Sequence, residues 1–98
     1  MNLVNVIKQE TDELFSELVG HYRYLHQHPE LSYKEKNTSK YITSFLDAED
    51  VSYRKNIGGF GILAKVKGEA FESTREIALC ADMDALPIEE ENDVAYKS

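Results

Sequence analysis

The sequence has little of several features that define whole classes of protein. Among its 98 residues there is one cysteine, Cys80, so no disulfide can form within the chain. Its 11 basic residues are outnumbered by 18 acidic ones, and the net charge of −7 argues against nucleic acid as a partner, since phosphates require cationic side chains. No apolar run approaches the roughly 18 residues of a membrane span. The first residues lack the pattern of a signal peptide, so we expect a cytoplasmic protein with no membrane partner.

Two amphipathic helices are predicted in the first half of the chain. Apolar residues recur every three or four positions over residues 4–25, which is the period of a helix with one apolar face. Pro29 ends this pattern. Ser32 and Glu35 have the spacing of a capping box, which predicts that a second helix begins there and fades near residue 48.

The second half of the chain predicts three strands. Residues 51–55 form a short apolar-polar run, Gly58 and Gly59 indicate a turn, and residues 60–66 alternate like a half-buried strand. The apolar run 77–81 is typical of a strand that is covered on both faces. The expected fold class is therefore α/β, with two helices followed by three strands.

Two carboxylates, Asp82 and Asp84, directly follow the third predicted strand. Ligands of open α/β sheets bind beyond the carboxyl ends of the strands. Carboxylates at such an edge can hold a metal or orient a histidine that does. Taken alone, the spacing favours the simpler interpretation, a turn with two solvated acids.

Three blocks occur along the chain in a recognisable order. Residues 23–35 contain Leu-His-x-x-Pro-Glu-Leu followed by a glutamate, residues 58–64 are Gly-Gly-Phe-Gly-Ile-Leu-Ala, and residues 77–90 contain Ala-Asp-Met-Asp-Ala-Leu-Pro. Together these blocks resemble the zinc-peptidase-like amidohydrolases, the family of aminoacylases, hippurate hydrolases and auxin–amino-acid conjugate hydrolases. The resemblance covers most of the chain.

The resemblance implies an enzymatic origin. Family members bind zinc, manganese or cobalt and hydrolyse the amide bond of N-acyl amino acids, in a catalytic domain with a mixed sheet. Their main metal ligands and a smaller inserted domain come later than the matched blocks. Residues 1–98 would then be the N-terminal part of a catalytic domain, truncated, inactive alone and binding no metal alone.

The resemblance also implies roles for two residues. Asp82 aligns with an aspartate that supports the metal centre by orienting a ligand histidine. Cys80 stands where other branches of the superfamily have a metal-binding histidine and the amidohydrolase branch has arginine. A thiolate at Cys80 could bind zinc, although a buried small residue is the simpler interpretation.

A non-enzymatic function is the alternative. The long amphipathic helix and the apolar last strand both need covering, so the chain could be a small self-associating protein, or a subunit that docks with a chain carrying the metal ligands. His26 and His28 are interpreted as structural, because side chains two positions apart on a helix do not face each other. The acidic run 89–93 is interpreted as a solvated loop.

Overall fold

The structure is a computed structural model that describes residues 2–68 and 75–98. Two helices are followed by a two-stranded antiparallel sheet, so the predicted α/β organisation is present. The chain divides into two compact units. One unit contains residues 1–28 and 88–98, and the other contains residues 29–87.

The first helix, α1, spans Leu3–Gln27 and is 25 residues long. The side chain of Asn2 caps its first turn by accepting a hydrogen bond from the Val4 amide at 2.9 Å. At the other end the His28 amide donates to the Tyr24 carbonyl at 3.1 Å. Pro29 follows and disfavours helical geometry in the residue before it, which explains why the predicted end of the helix is confirmed.

Most of the apolar face of α1 is exposed, although Val6, Val19 and Leu25 are half-buried. The seven most exposed of its large apolar side chains, which we call the α1 stripe, are 46–70% exposed: Leu3, Val4, Ile7, Leu14, Phe15, Leu18 and Tyr22. The predicted amphipathic pattern is thus present without a buried face. Despite the length of α1, no helix in the described ranges is apolar enough to cross a membrane.

The second helix, α2, spans Lys36–Ala48, close to the predicted range. Its start differs from the prediction, because Ser32 lies in a separate turn that is closed by a 2.9 Å hydrogen bond from the Lys34 amide to the Leu31 carbonyl. Glu35 occupies the cap position, and its side chain makes no capping bond. The predicted capping box is therefore wrong, and the first turn of α2 is capped from elsewhere.

The first two predicted strands are confirmed as a hairpin. Strand β1 spans Tyr53–Ile57 and strand β2 spans Gly61–Ala64, and they pair antiparallel with one irregularity in register. The turn between them places Gly58 at φ 61° and Gly59 at φ 115°, a backbone region that favours glycine. Helix α2 packs against both strands.

The third predicted strand is where the structure departs most from expectation. Residues 75–86 have no regular secondary structure, and Ile77 and Leu79 are 92% and 97% exposed. The described sheet is two-stranded and antiparallel rather than three-stranded and mixed. The physical reason is that a strand is stabilised by backbone hydrogen bonds to a neighbour, and this run has no paired strand in the described part of the chain.

Burial is concentrated at one point. Of the residues described, only Thr38 and Ser39 are buried, at 6% and 7% exposure, and both are polar. They lie in the first turn of α2, and no apolar side chain in the same ranges is buried. Tight packing is therefore found at the start of α2, where a polar network replaces an apolar core.

Candidate functional site

The loop that carries the predicted site residues is attached through its backbone. The amide of Ala85 donates a 2.8 Å hydrogen bond to the carbonyl of Glu30. Along this loop Met83 and Ala85 are half-buried, whereas Asp82 and Asp84 are exposed. The two aspartates therefore share the solvent side of a loop whose other side faces the protein.

Glu30 links this loop to the start of α2. Its Oε1 accepts hydrogen bonds from the Thr38 amide at 2.5 Å and from the Thr38 hydroxyl at 2.7 Å. Its Oε2 accepts one from the Asn37 amide at 3.2 Å. A carboxylate at this place satisfies amides that the helix itself leaves without partners and lies at the positive end of the helix dipole. Glu30 therefore does the capping that the sequence assigned to Ser32.

These hydrogen bonds also set the charge of the Glu30 carboxyl. Partial burial by itself would raise the pKa of Glu30. The hydrogen bonds from Thr38 and Asn37 outweigh burial, so the pKa of Glu30 is held below its ordinary value of 4.5. The carboxylate stays ionised at neutral pH, which is the form that accepts all three bonds.

The residues present near Asp82 do not form a metal site by themselves. In residues 2–68 and 75–98, no three histidine, cysteine, aspartate or glutamate side chains lie together in a way that could hold a metal ion. Cys80 is a free, exposed thiol. The expectation that it is buried is wrong here, because the predicted strand that contains it is not formed and no neighbouring strand covers it in the described residues. Asp82 and Cys80 therefore keep their proposed roles as predictions.

The histidines that the sequence singled out have separate partners. His26 Nε2 lies 2.8 Å from Glu90 Oε2, and His28 Nδ1 lies 2.8 Å from the backbone carbonyl of Tyr24. The two rings do not converge on one ligand position.

Glu90 is the residue that sequence reasoning missed. The sequence predicts that the acidic run 89–93 is solvated, yet the Glu90 side chain is only 18% exposed and bonds to His26. Hydrogen bonds from the backbone amide of Asn92 first, and then from His26, hold the pKa of Glu90 below its ordinary value. Three consecutive glutamates carry no signal that distinguishes the one that turns inward.

Comparison with known proteins finds several hydrolases. The chain is 42% identical over 92 residues to YhaA of Bacillus subtilis, a protein named for a proposed amidohydrolase activity. It is 37% identical over 99 residues to thermostable carboxypeptidase 1 of Saccharolobus solfataricus. It is also 53% identical over 78 residues to an uncharacterized hydrolase of Staphylococcus haemolyticus.

These matches cover most of this chain but only a small part of each relative. They cover 94%, 100% and 80% of this chain but only 23%, 25% and 19% of the respective relatives. The chain thus spans about a fifth to a quarter of the length of the curated relatives it matches. No family model matches the chain, and no solved structure matches it. The chain is therefore similar to one part of these larger hydrolases.

Proposed function

We propose that the chain is the first part of the catalytic domain of a metal-dependent amidohydrolase whose substrates are N-acyl amino acids or related amides. The similarity to YhaA and to the carboxypeptidase over nearly the whole chain is the observation that carries this proposal. In this proposal the chain supplies a supporting part of the site, and the groups that activate water and polarise the amide carbonyl would lie elsewhere in the complete protein.

The backbone hydrogen bond from Ala85 to Glu30 supports the proposal that the chain is part of an amidohydrolase domain. It joins the block Leu-His-x-x-Pro-Glu-Leu to the block Ala-Asp-Met-Asp-Ala-Leu-Pro, two of the three blocks that carry the family resemblance. The loop is thereby held with Asp82 on its exposed side. In the proposed complete domain, Asp82 would accept a hydrogen bond from a ligand histidine and fix the orientation of its ring.

The exposed run around Ile77 and Leu79 supports the same proposal. Two side chains more than nine-tenths exposed are unfavourable for a folded chain, at about 25 cal/mol per Å² of apolar surface. In the complete domain, neighbouring strands would pair with this run and cover both of its faces. The third strand and the mixed sheet are therefore part of the proposal.

A chimaera tests the proposal directly. The matched quarter of YhaA is replaced by this chain, and hydrolysis of N-acetyl and N-benzoyl amino acids is measured with zinc, manganese or cobalt. We expect the chimaera to be active, Asp82→Ala to lower kcat at least tenfold, and Asp93→Asn, an exposed acid in the same half, to have no effect. A folded but inactive chimaera, or full activity of Asp82→Ala, contradicts the proposal.

The isolated chain gives the complementary test. We expect no turnover of the same substrates by residues 1–98 with any of the three metals. Turnover that a chelator abolishes would show that the chain is an enzyme by itself and would overturn the view that it supplies only part of a site.

A second function is favoured by one observation, the exposure of the α1 stripe. We propose self-association through this surface as the alternative activity of the isolated chain, because its seven large apolar side chains are 46–70% exposed and exposed apolar patches mark sites of protein–protein contact. Analytical ultracentrifugation of the chain and of Phe15→Glu tests it. A monomer at high concentration contradicts it.

A further inference from the structure

The ring of His26 lies at the meeting point of α1 and the segment 88–98, which belong to the same compact unit. Its Nε2 is 2.8 Å from Glu90 Oε2. Tyr22, one turn earlier on α1, stacks on the ring at a centroid distance of 5.9 Å, and Tyr96 meets it edge-on at 5.7 Å. One imidazole thus contacts both its own helix and the segment.

Hydrogen bonds within the segment orient the Glu90 carboxylate for its contact with His26. Its Oε1 accepts hydrogen bonds from the Asn92 amide at 3.0 Å and from the Asn92 side-chain amide at 2.8 Å, which leaves Oε2 for His26. The Glu90 amide in turn donates to the Ser98 hydroxyl at 3.1 Å. The segment is therefore a folded turn that presents one oriented carboxylate oxygen to α1.

The remaining charged and titratable groups around the ring are few. From α1, the Arg23 guanidinium lies over the Tyr96 ring at 4.9 Å from its centroid, and Tyr22 stacks on His26. From the segment, Glu90 and Tyr96 face the ring. The other charged side chains of the segment are exposed: Glu89, Glu91, Asp93 and Lys97. Glu90 is thus the carboxylate that bonds the ring.

We infer that the His26–Glu90 pair is a pH-sensitive latch that holds the segment 88–98 against the C-terminal part of α1. Histidine changes charge between about pH 5 and 8. With the imidazole protonated and Glu90 ionised, the hydrogen bond is charge-assisted, and with a neutral imidazole it is an ordinary one. The latch is therefore tightest with a protonated imidazole and an ionised Glu90. It is weaker with a neutral imidazole, and it opens in strong acid as Glu90 gains a proton.

The opening of the latch in strong acid follows from the lowered pKa of Glu90. Because the pKa of Glu90 is lowered in the folded chain, its contribution is present above the ordinary carboxyl range and is lost as the pH falls through the lowered value. The closed population thus has a bell-shaped dependence on pH. This inference concerns the chain itself and is independent of the proposed hydrolase origin.

Nuclear Overhauser effects at the His26 ring test the latch, because one ring contact changes when the latch opens and another serves as an internal reference. The Tyr96 cross-peak reports closure, and the Tyr22 cross-peak reports a contact within α1. From pH 6 to pH 8.5 we expect the closed-to-open ratio in the wild-type chain to fall about two- to five-fold, the range of a partly exposed ion pair. Glu90→Gln should show no such dependence, and Glu89→Gln, its exposed neighbour, should behave like wild type.

A second measurement needs no variant. Because salt screens an ion pair and not a neutral hydrogen bond, it should weaken the Tyr96 cross-peak more at pH 6 than at pH 8.5. A ratio that is flat from pH 6 to pH 8.5 in the wild type, an equal slope in a folded Glu90→Gln variant, or equal salt effects at the two pH values would each overturn the latch.

Discussion

The carboxylate of Glu30 is predicted to be the most important polar group for the stability of the unit formed by residues 29–87. Glu30→Ala removes three hydrogen bonds at the start of α2. Loss of a helix cap costs about 0.5–2 kcal/mol. Thr38 is 6% exposed, so its amide and hydroxyl lose their acceptor in a place that water reaches poorly. We therefore expect a loss of about 2 kcal/mol, with the upper part of that cost coming from Thr38.

The matched variants separate the contributions at this helix end. Glu30→Gln can keep its oxygen on Thr38 but turns an amino group toward the Asn37 amide, so we expect about half the loss, roughly 1 kcal/mol. Ser32→Ala tests the capping box that the sequence predicted. Since Ser32 lies in a separate turn, its removal should cost less than about 0.5 kcal/mol.

The assay is urea or thermal unfolding followed by circular dichroism, combined with hydrogen exchange of the Ala85 amide. A loss of about 2 kcal/mol corresponds to a decrease of roughly 8–16 °C in the melting temperature of a domain this small. Exchange at Ala85 should speed up in Glu30→Ala, because the carbonyl of Glu30 is its acceptor. An unfolding free energy within 0.5 kcal/mol of wild type, or a larger loss in Ser32→Ala, would refute the reasoning.

The lowered pKa of Glu30 predicts how the stability of the folded chain changes with pH. The pKa of Glu30 is lowered in the folded chain by its hydrogen bonds to Thr38 and Asn37. The carboxylate therefore stabilises the chain above the ordinary carboxyl range, and this contribution disappears as the pH falls through the lowered value. Glu30→Gln should remove that part of the acid sensitivity and leave the rest unchanged.

Three further predictions concern single sites. Gly61→Ala should destabilise the hairpin by about 1–3 kcal/mol in urea unfolding, since an added Cβ would overlap the backbone of Ile57 in β1. Gly20→Ala, inside α1 with open space around it, should instead stabilise the helix by about 0.5–1 kcal/mol, and the opposite order of stabilities would contradict both predictions. Cys80 should react with a thiol reagent in the native chain about as fast as in urea, because it is exposed, and at least tenfold slower labelling in the native chain would mean that the third strand forms. Tyr53 donates a 2.9 Å hydrogen bond to Asp47, which raises the pKa of its phenol, so Asp47→Asn should bring that pKa down toward 10 in a spectrophotometric titration, and an unchanged titration would contradict the contact.

The elements that were predictable from sequence are those determined by local interactions. Helix α1 is specified by a 3.6-residue period, with Asn2 at one end and Pro29 at the other. The hairpin is specified by alternating residues around two glycines that the turn requires. Each of these signals lies within a few residues, so the element it predicts can be recognised without knowledge of the rest of the fold.

The polar contacts were less predictable because their partners lie far apart in sequence. Ser32 and Glu35 have the local spacing of a capping box, but the cap is supplied by Glu30, which also holds Ala85 through its carbonyl. In the same way, Glu90 bonds to His26, 64 positions earlier in the chain. Nothing in the local pattern distinguishes these glutamates from their neighbours, since the geometry that selects them exists only after folding.

The third predicted strand shows a different limit, because a strand forms only where a neighbouring strand pairs with it. The run 77–81 has the apolar composition of a strand covered on both faces. Whether it pairs and becomes buried depends on neighbouring strands as well as on that composition. In the described chain the run has no paired strand, and Ile77 and Leu79 stay exposed. The α1 stripe is exposed for the same physical reason, since an amphipathic helix is stabilised mainly by the surface on which it packs. Exposed apolar groups on both elements, together with matches that cover 23–25% of YhaA and the two carboxypeptidases, support the proposal that the chain is part of a larger catalytic domain.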